Sequence, residues 1–116
     1  MGTVTIFHNP RCSKSRSSLA ILNEQGLEPE IRLYLENPPN AEELTSILAM
    51  LEISARDLLR KGESDYKALN LADPDVSETE IIKAMTKYPK LIERPIVIND
   101  GKAAIGRPPE IILELF

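Results

Sequence analysis

Cysteine occurs once in this chain, as Cys12, and histidine once, as His8. A single thiol excludes an intramolecular disulfide, a four-cysteine zinc site and a Cys-x-x-Cys redox pair. A single imidazole leaves no basis for a histidine-rich metal centre, so no metal is expected. Tryptophan is absent, aromatic residues make up 4% of the chain, and acidic side chains outnumber basic ones to give a net charge of −4. That balance argues against a nucleic-acid surface, which needs clustered cations and stacking platforms. Long apolar runs are missing too. The nearest approach, Ile47-Leu48-Ala49-Met50-Leu51, is far shorter than the ~20 residues of a membrane-spanning helix. The opening Met1-Gly2-Thr3-Val4-Thr5 lacks the charged start and apolar stretch of a signal peptide. An unpaired thiol suits a reducing compartment, so a cytoplasmic protein without membrane or nucleic-acid partners is expected.

What remains is an ordinary globular composition, 42% hydrophobic and 28% charged over 116 residues, enough for one domain with its own core. Thr3 to Phe7 is short and β-branched, and reads as a strand running into His8-Asn9-Pro10. Ser13 to Gln25 reads as a helix with Leu19 and Leu22 on one face and Gly26 beyond its end. Glu30 to Leu35 reads as a second strand, and strand, helix and strand in that span form a βαβ unit with parallel strands. From about 40 to 91 the pattern is helical. Asn40 with Glu43 and Ser77 with Glu80 have capping-box spacing. Ser54 can start a short helix running to about Arg60, and Ser64 another through Leu69. Strand character returns at Pro95 to Ile98 and Lys102 to Ile105, joined by the hairpin signal Asp100-Gly101. Pro108 and Pro109 suit the first turn of a last helix with Ile111, Ile112 and Leu115 as its apolar positions. The expectation is one α/β domain over 1–116, ordered βαβ, helical insertion, ββα, with the insertion packed on the sheet.

Cys12 falls between the first strand and the first helix, within His8-Asn9-Pro10-Arg11-Cys12-Ser13-Lys14-Ser15-Arg16. In open α/β sheets ligands bind at this carboxyl edge of the strands. The first N–H groups of a helix lack intrahelical partners and, with the positive end of the helix dipole, favour thiolate and cradle anions. Arg11, Lys14 and Arg16 add a local excess of positive charge to an acidic chain. A lone cysteine after a strand is commonly just a small buried apolar residue, but the polar neighbours and the helix start favour a reactive thiol. His8 is a candidate to assist it or a plain loop residue; Ser13 and Ser15 are anion donors or helix-start residues; Arg16 braces the cradle or pairs with an acid. A phosphatase cradle would need arginine at the position of Ser18, and a dithiol enzyme would need cysteine at the position of Ser15. Any thiol redox cycle here must therefore borrow its second thiol.

His8-Asn9-Pro10-x-Cys12-x-x-Ser15-Arg16, Leu59-Arg60, Glu93-Arg94-Pro95-Ile96 and Ile105-Gly106-Arg107-Pro108 together resemble the glutaredoxin-like arsenate reductases, in motif order and over nearly the whole chain. The resemblance implies a thioredoxin-like fold with a mixed sheet and a cis bond at Arg94-Pro95. It implies that Cys12 is the nucleophile and that Arg60, Arg94 and Arg107 bind and stabilise the oxyanion adduct; His8, Lys14, Ser15 and Arg16 remain candidate supporting residues from the reading of the loop itself. It implies no bound cofactor, arsenate or a related oxyanion as substrate, glutathione as co-substrate and glutaredoxin as the partner that resolves the mixed disulfide. Each arginine also has an ordinary structural use, Arg60 at a helix C-terminus and Arg94 in an ion pair. Members associated with arsenate detoxification carry Cys-Gly-Thr-Ser in the loop, whereas this chain has Cys12-Ser13-Lys14-Ser15 and looks like a housekeeping branch. Two other functions fit the same features: a monothiol glutaredoxin-like protein, from Cys-x-x-Ser, and a non-catalytic, transcription-associated regulator on the same fold.

Overall fold

The structure is a computed structural model that describes residues 4–116. It divides into two compact units, one of Met1–Asn37 with Arg94–Phe116 and one of Pro38–Glu93. The first unit holds the sheet. β1 (Val4–Phe7), β2 (Glu30–Arg32), β3 (Ile96–Asn99) and β4 (Lys102–Ile105) lie in the order β2-β1-β3-β4. β1 and β2 are parallel, and the other two pairings are antiparallel, which makes the sheet mixed as expected. Thr3, expected at the start of β1, lies outside the described residues.

β2 stops at Arg32 rather than Leu35, because Leu33 turns: its carbonyl accepts the N–H groups of both Glu36 and Asn37. β3 begins at Ile96 rather than Pro95, since proline has no N–H to give to a ladder. Asp100 and Gly101 both have positive φ, 49° and 78°. This is the two-residue hairpin turn whose twist matches that of the strands, and glycine takes its second position at no steric cost.

α1 (Ser13–Glu24) crosses from β1 to β2. On its side of the sheet Val4, Ile6, Leu22, Val97 and Ile112 form a buried cluster, with Leu19, Ile21, Leu27 and Leu115 packed against it. Burying a side chain such as Leu22 or Ile112 is worth about 1.5–3 kcal/mol. The last segment, Pro109–Leu115, is a 3₁₀ helix and not the expected α-helix. Its period of three stacks Pro109, Ile112 and Leu115 on the inner side and turns Ile111 outward, 36% exposed. An α-helical face would have held Ile111, Ile112 and Leu115 together.

The second unit consists of α2 (Ala41–Leu51), α3 (Ala55–Leu58), α4 (Ser64–Ala68), α5 (Glu78–Lys87) and a 3₁₀ turn at Pro89–Leu91. α2 and α3 both pack on α5, and Leu44, Ile47, Leu48, Leu58, Ile81 and Met85 are buried. The Asn40 capping box forms in both directions, with Glu43 N–H bonding to Asn40 Oδ1 at 2.8 Å and Asn40 N–H to Glu43 Oε1 at 3.2 Å. Ser77 accepts from Glu80 N–H, without the reciprocal bond. Ser54 holds the N-cap position of α3, as expected, but its side chain makes no cap bond. Ser54 bonds to Asp57, while the first N–H of α3 is taken by the carboxylate of Glu78 at 2.9 Å. α4 has Glu63, not Ser64, at its cap position. α3 ends at Leu58 because Leu59 becomes extended and bridges Ile92. Among the described residues no helix is long and apolar enough to cross a membrane.

Candidate active site around Cys12

β1 and β4 end, and β3 begins, at the same edge of the sheet, because β4 is antiparallel to β3 and β3 to β1. Topology thus brings three distant stretches together: His8 to Arg16, Arg94-Pro95, and Gly106 to Pro108. The loop after β1 is fixed by its own polar groups. Cys12 N–H donates to the Asn9 carbonyl at 2.9 Å, Arg11 N–H to Asn9 Oδ1 at 3.0 Å, and His8 N–H to the Arg32 carbonyl of β2 at 2.9 Å. Cys12 is the N-cap of α1 with extended dihedrals (φ −94°, ψ 122°), and its carbonyl takes the first helical bond from Arg16 N–H at 3.0 Å. Its side chain is 7% exposed and makes no cap bond, so the N–H groups of the first turn have no intrahelical acceptor.

Arg107 reaches this cysteine from the far end of the sequence. Its Nη2 stands 3.7 Å from Cys12 Sγ, and its Nε donates to the Arg94 carbonyl at 2.8 Å. The bond to Arg94 fixes the plane of the guanidinium. Positive charge at that distance stabilises negative charge on sulfur. Arg94-Pro95 is cis, as the resemblance implied, and so is Arg107-Pro108. Gly106 N–H donates to the Pro95 carbonyl at 2.9 Å, which ties the two arginine-bearing loops together.

His8 and Ser15 are both buried beneath the loop. Ser15 Oγ accepts Asn9 N–H at 3.0 Å and shares a 2.6 Å hydrogen bond with His8 Nδ1. Burial, and secondarily the charge of Arg16, hold the His8 pKa below its ordinary 6.5, so the ring is neutral at pH 7. Among the described residues Arg16 has no acid partner; its Nη1 donates to the Pro10 carbonyl at 2.9 Å and braces the loop. Lys14 is exposed on the first turn of α1.

Arg60 belongs to the other unit. Its N–H donates to the Leu91 carbonyl at 2.8 Å, and its guanidinium is held by Glu63 at 2.5 Å and Glu93 at 3.7 Å. It lies two residues beyond the end of α3, so its partners are these carboxylates and not the expected helix C-terminus. Two residues gain weight from the structure. Ser18 is buried on α1 with no hydrogen-bond partner for Oγ among the described residues, and Gly106 packs directly on it. Alternation of polar and apolar residues gives no hint of that contact. Among the described residues no cluster of His, Cys, Asp or Glu could hold a metal ion.

A mixed α/β sheet in the order β2-β1-β3-β4, with one buried thiol at a helix start faced by an arginine, defines a protein of thioredoxin-like fold. Comparison with known proteins narrows this class: the model of the ArsC family matches residues 7–115. The chain is 57% identical to the uncharacterised protein YfgD of Escherichia coli K12, covering 97% of this chain and 95% of that one. It is 49% identical to an arsenate reductase of Haemophilus influenzae, over 97% and 98%. A solved arsenate reductase from Vibrio cholerae superposes with a TM-score of 0.97 at 46% identity, covering 99% of this chain and 98% of that one. The chain belongs to the ArsC family.

Proposed function

We propose that this protein reduces an oxyanion, arsenate foremost, through a covalent adduct on Cys12, with glutathione as reductant and glutaredoxin as resolving partner. The observation that carries this reading is the Arg107 guanidinium 3.7 Å from Cys12 Sγ at the start of α1. The Cys12 thiolate attacks As(V), and an As–O bond breaks with the oxygen leaving as water after protonation. The adduct's spread negative charge suits the planar, permanently charged donors of Arg107 and Arg94 and the first N–H groups of α1. The resemblance adds Arg60 to that set; within its own unit its guanidinium is held by Glu63 and Glu93. A glutathione thiolate then attacks Cys12 Sγ. The S–As bond breaks with its electron pair on arsenic, releasing As(III), and a Cys12–glutathione disulfide forms. Glutaredoxin takes the glutathionyl group and restores the thiolate. With one cysteine in the chain, the second thiol has to come from outside.

Arsenate-dependent oxidation of glutathione, measured with glutaredoxin present, tests the reading. Activity should vanish in Cys12→Ser, and Arg107→Ala should lower kcat/KM by about 10²–10³, the usual cost of removing one oxyanion donor. No activity above the Cys12→Ser control, together with an unmodified Cys12 thiol by mass spectrometry after arsenate and glutathione, would overturn it. The Cys12-x-x-Ser15 spacing favours a second reading, in which the protein removes glutathione from other proteins' mixed disulfides. Turnover on a glutathionylated peptide without any on arsenate would select that one.

A further inference from the structure

β2 is an edge of the sheet, yet its one apolar residue, Ile31, is 49% exposed, and Leu33 and Leu35 in the turn that follows are 37% and 36% exposed. Ile31 is level with Ile6, so it shares the face of the buried cluster but extends past its cover. Arg32 accepts at its carbonyl from His8 N–H, on the β1 side. Arg32 and Glu30 turn their N–H and carbonyl groups to β1, so Ile31 turns both of its own outward, and the flanking trans peptides leave the Pro29 carbonyl and the Leu33 N–H facing outward as well.

We propose that this edge pairs antiparallel with the same edge of a second copy of the chain, with Ile31 on the two-fold axis. In that register the two Ile31 residues exchange N–H and carbonyl bonds. The next outward pair sets Leu33 against Pro29 of the second copy. Leu33 N–H bonds to the Pro29 carbonyl. In the return direction the Leu33 carbonyl already holds Glu36 and Asn37 N–H, and Pro29 has no N–H to offer. The missing donor meets the acceptor that needs none.

Charge selects the same register. Glu30 falls opposite Arg32 of the second copy, twice by symmetry, at the close non-hydrogen-bonded positions. A shift of two residues one way sets Glu30 against Glu30, and the other way sets Arg32 against Arg32. Proline and charges ordinarily protect an edge strand from pairing. Here they exclude every neighbouring register and permit one. Arg32 is already steadied over the Phe7 ring at 5.4 Å and by its Nε bond to the Asn37 carbonyl at 2.8 Å, so little of its freedom remains to be lost on pairing.

Sedimentation of the full chain from about 10 µM to about 1 mM, the range for an interface at the small end of the scale, should show a reversible monomer–dimer equilibrium. Glu30→Arg alone, and Arg32→Glu alone, each set like charges opposite at both symmetric positions and should weaken the dimer about tenfold or more. Mixed one to one, the two variants are complementary and should recover association as a heterodimer. Because Arg32→Glu also gives up the contact with Phe7, thermal melts check its fold, and Glu30→Arg, which keeps that contact, tests the register independently. Amide exchange at Ile31 and Leu33 should slow with rising concentration. A monomer throughout the range, or a dimer indifferent to both substitutions, would overturn the proposal.

Discussion

Gly106→Ala is expected to damage both stability and the Cys12 site. The added Cβ would lie 2.8 Å from Pro95 Cγ, collide with Ser18 Oγ, and stand 3.4 Å from Ser18 Cβ. Overpacking of this kind costs ~1–3 kcal/mol. Gly106 is outside the left-handed region, so alanine is also credited with the ~0.4–1 kcal/mol that stiffening the unfolded chain contributes. The net expectation is a loss of about 1–2 kcal/mol, or roughly 4–8 °C in Tm for a domain of this size. The displaced loop carries Arg107, so alkylation of Cys12 by iodoacetamide at neutral pH should slow as well. Ser18→Ala provides the internal control. It deletes a buried hydroxyl that has no partner among the described residues, so alone it should be neutral or stabilising by about 1 kcal/mol. In its background Gly106→Ala should cost less, with a coupling of about 1 kcal/mol or more in a double-mutant cycle by urea denaturation. An unchanged midpoint in Gly106→Ala, or a loss that Ser18→Ala does not reduce, would refute the steric argument.

Two further outcomes are expected. Ile112→Ala should cost ~2–5 kcal/mol as a large-to-small change in the core, and Ile111→Ala less than about 1 kcal/mol as a surface change; equal losses in chemical denaturation would contradict the three-residue period of the last segment. For pH, the folded His8 has a pKa below its ordinary 6.5, through burial first and Arg16 second. The unfolded chain therefore binds a proton that the folded one resists. The contribution is fully present above pH 6.5 and is lost as pH falls from there through the lower folded value. His8→Gln should flatten that part of the urea midpoint's pH dependence, Arg16→Ala should move the His8 ring titration seen by NMR up toward 6.5, and unaltered profiles would count against the assignment.

Where a segment's structure follows from its own residues, its sequence pattern was legible. The Asn40 box, the Asp100-Gly101 turn and the Ser13 start of α1 are local devices, with both partners within four residues. Where a distant group intervenes, the local pattern misled. Ser54 lost the first N–H of α3 to Glu78, 23 residues away. The end of α3 was decided by the bridge from Leu59 to Ile92. The final segment has the composition of a short amphipathic helix, but Pro109, Ile112 and Leu115 pack at a period of three.

The candidate site divides in the same way. One cysteine at a strand-to-helix junction, ringed by cations, is written in the sequence, and so is the consequence that any redox cycle needs an outside thiol. Tertiary structure alone decided that Arg107, 95 residues from Cys12, points at its sulfur, that Arg16 braces the Pro10 carbonyl, and that His8 is neutral and tied to Ser15. Composition and spacing fix which charges a chain carries. Only the antiparallel course of β3 and β4, which returns Arg94 and Arg107 to the edge where β1 ends, brings the Arg107 guanidinium to the thiol.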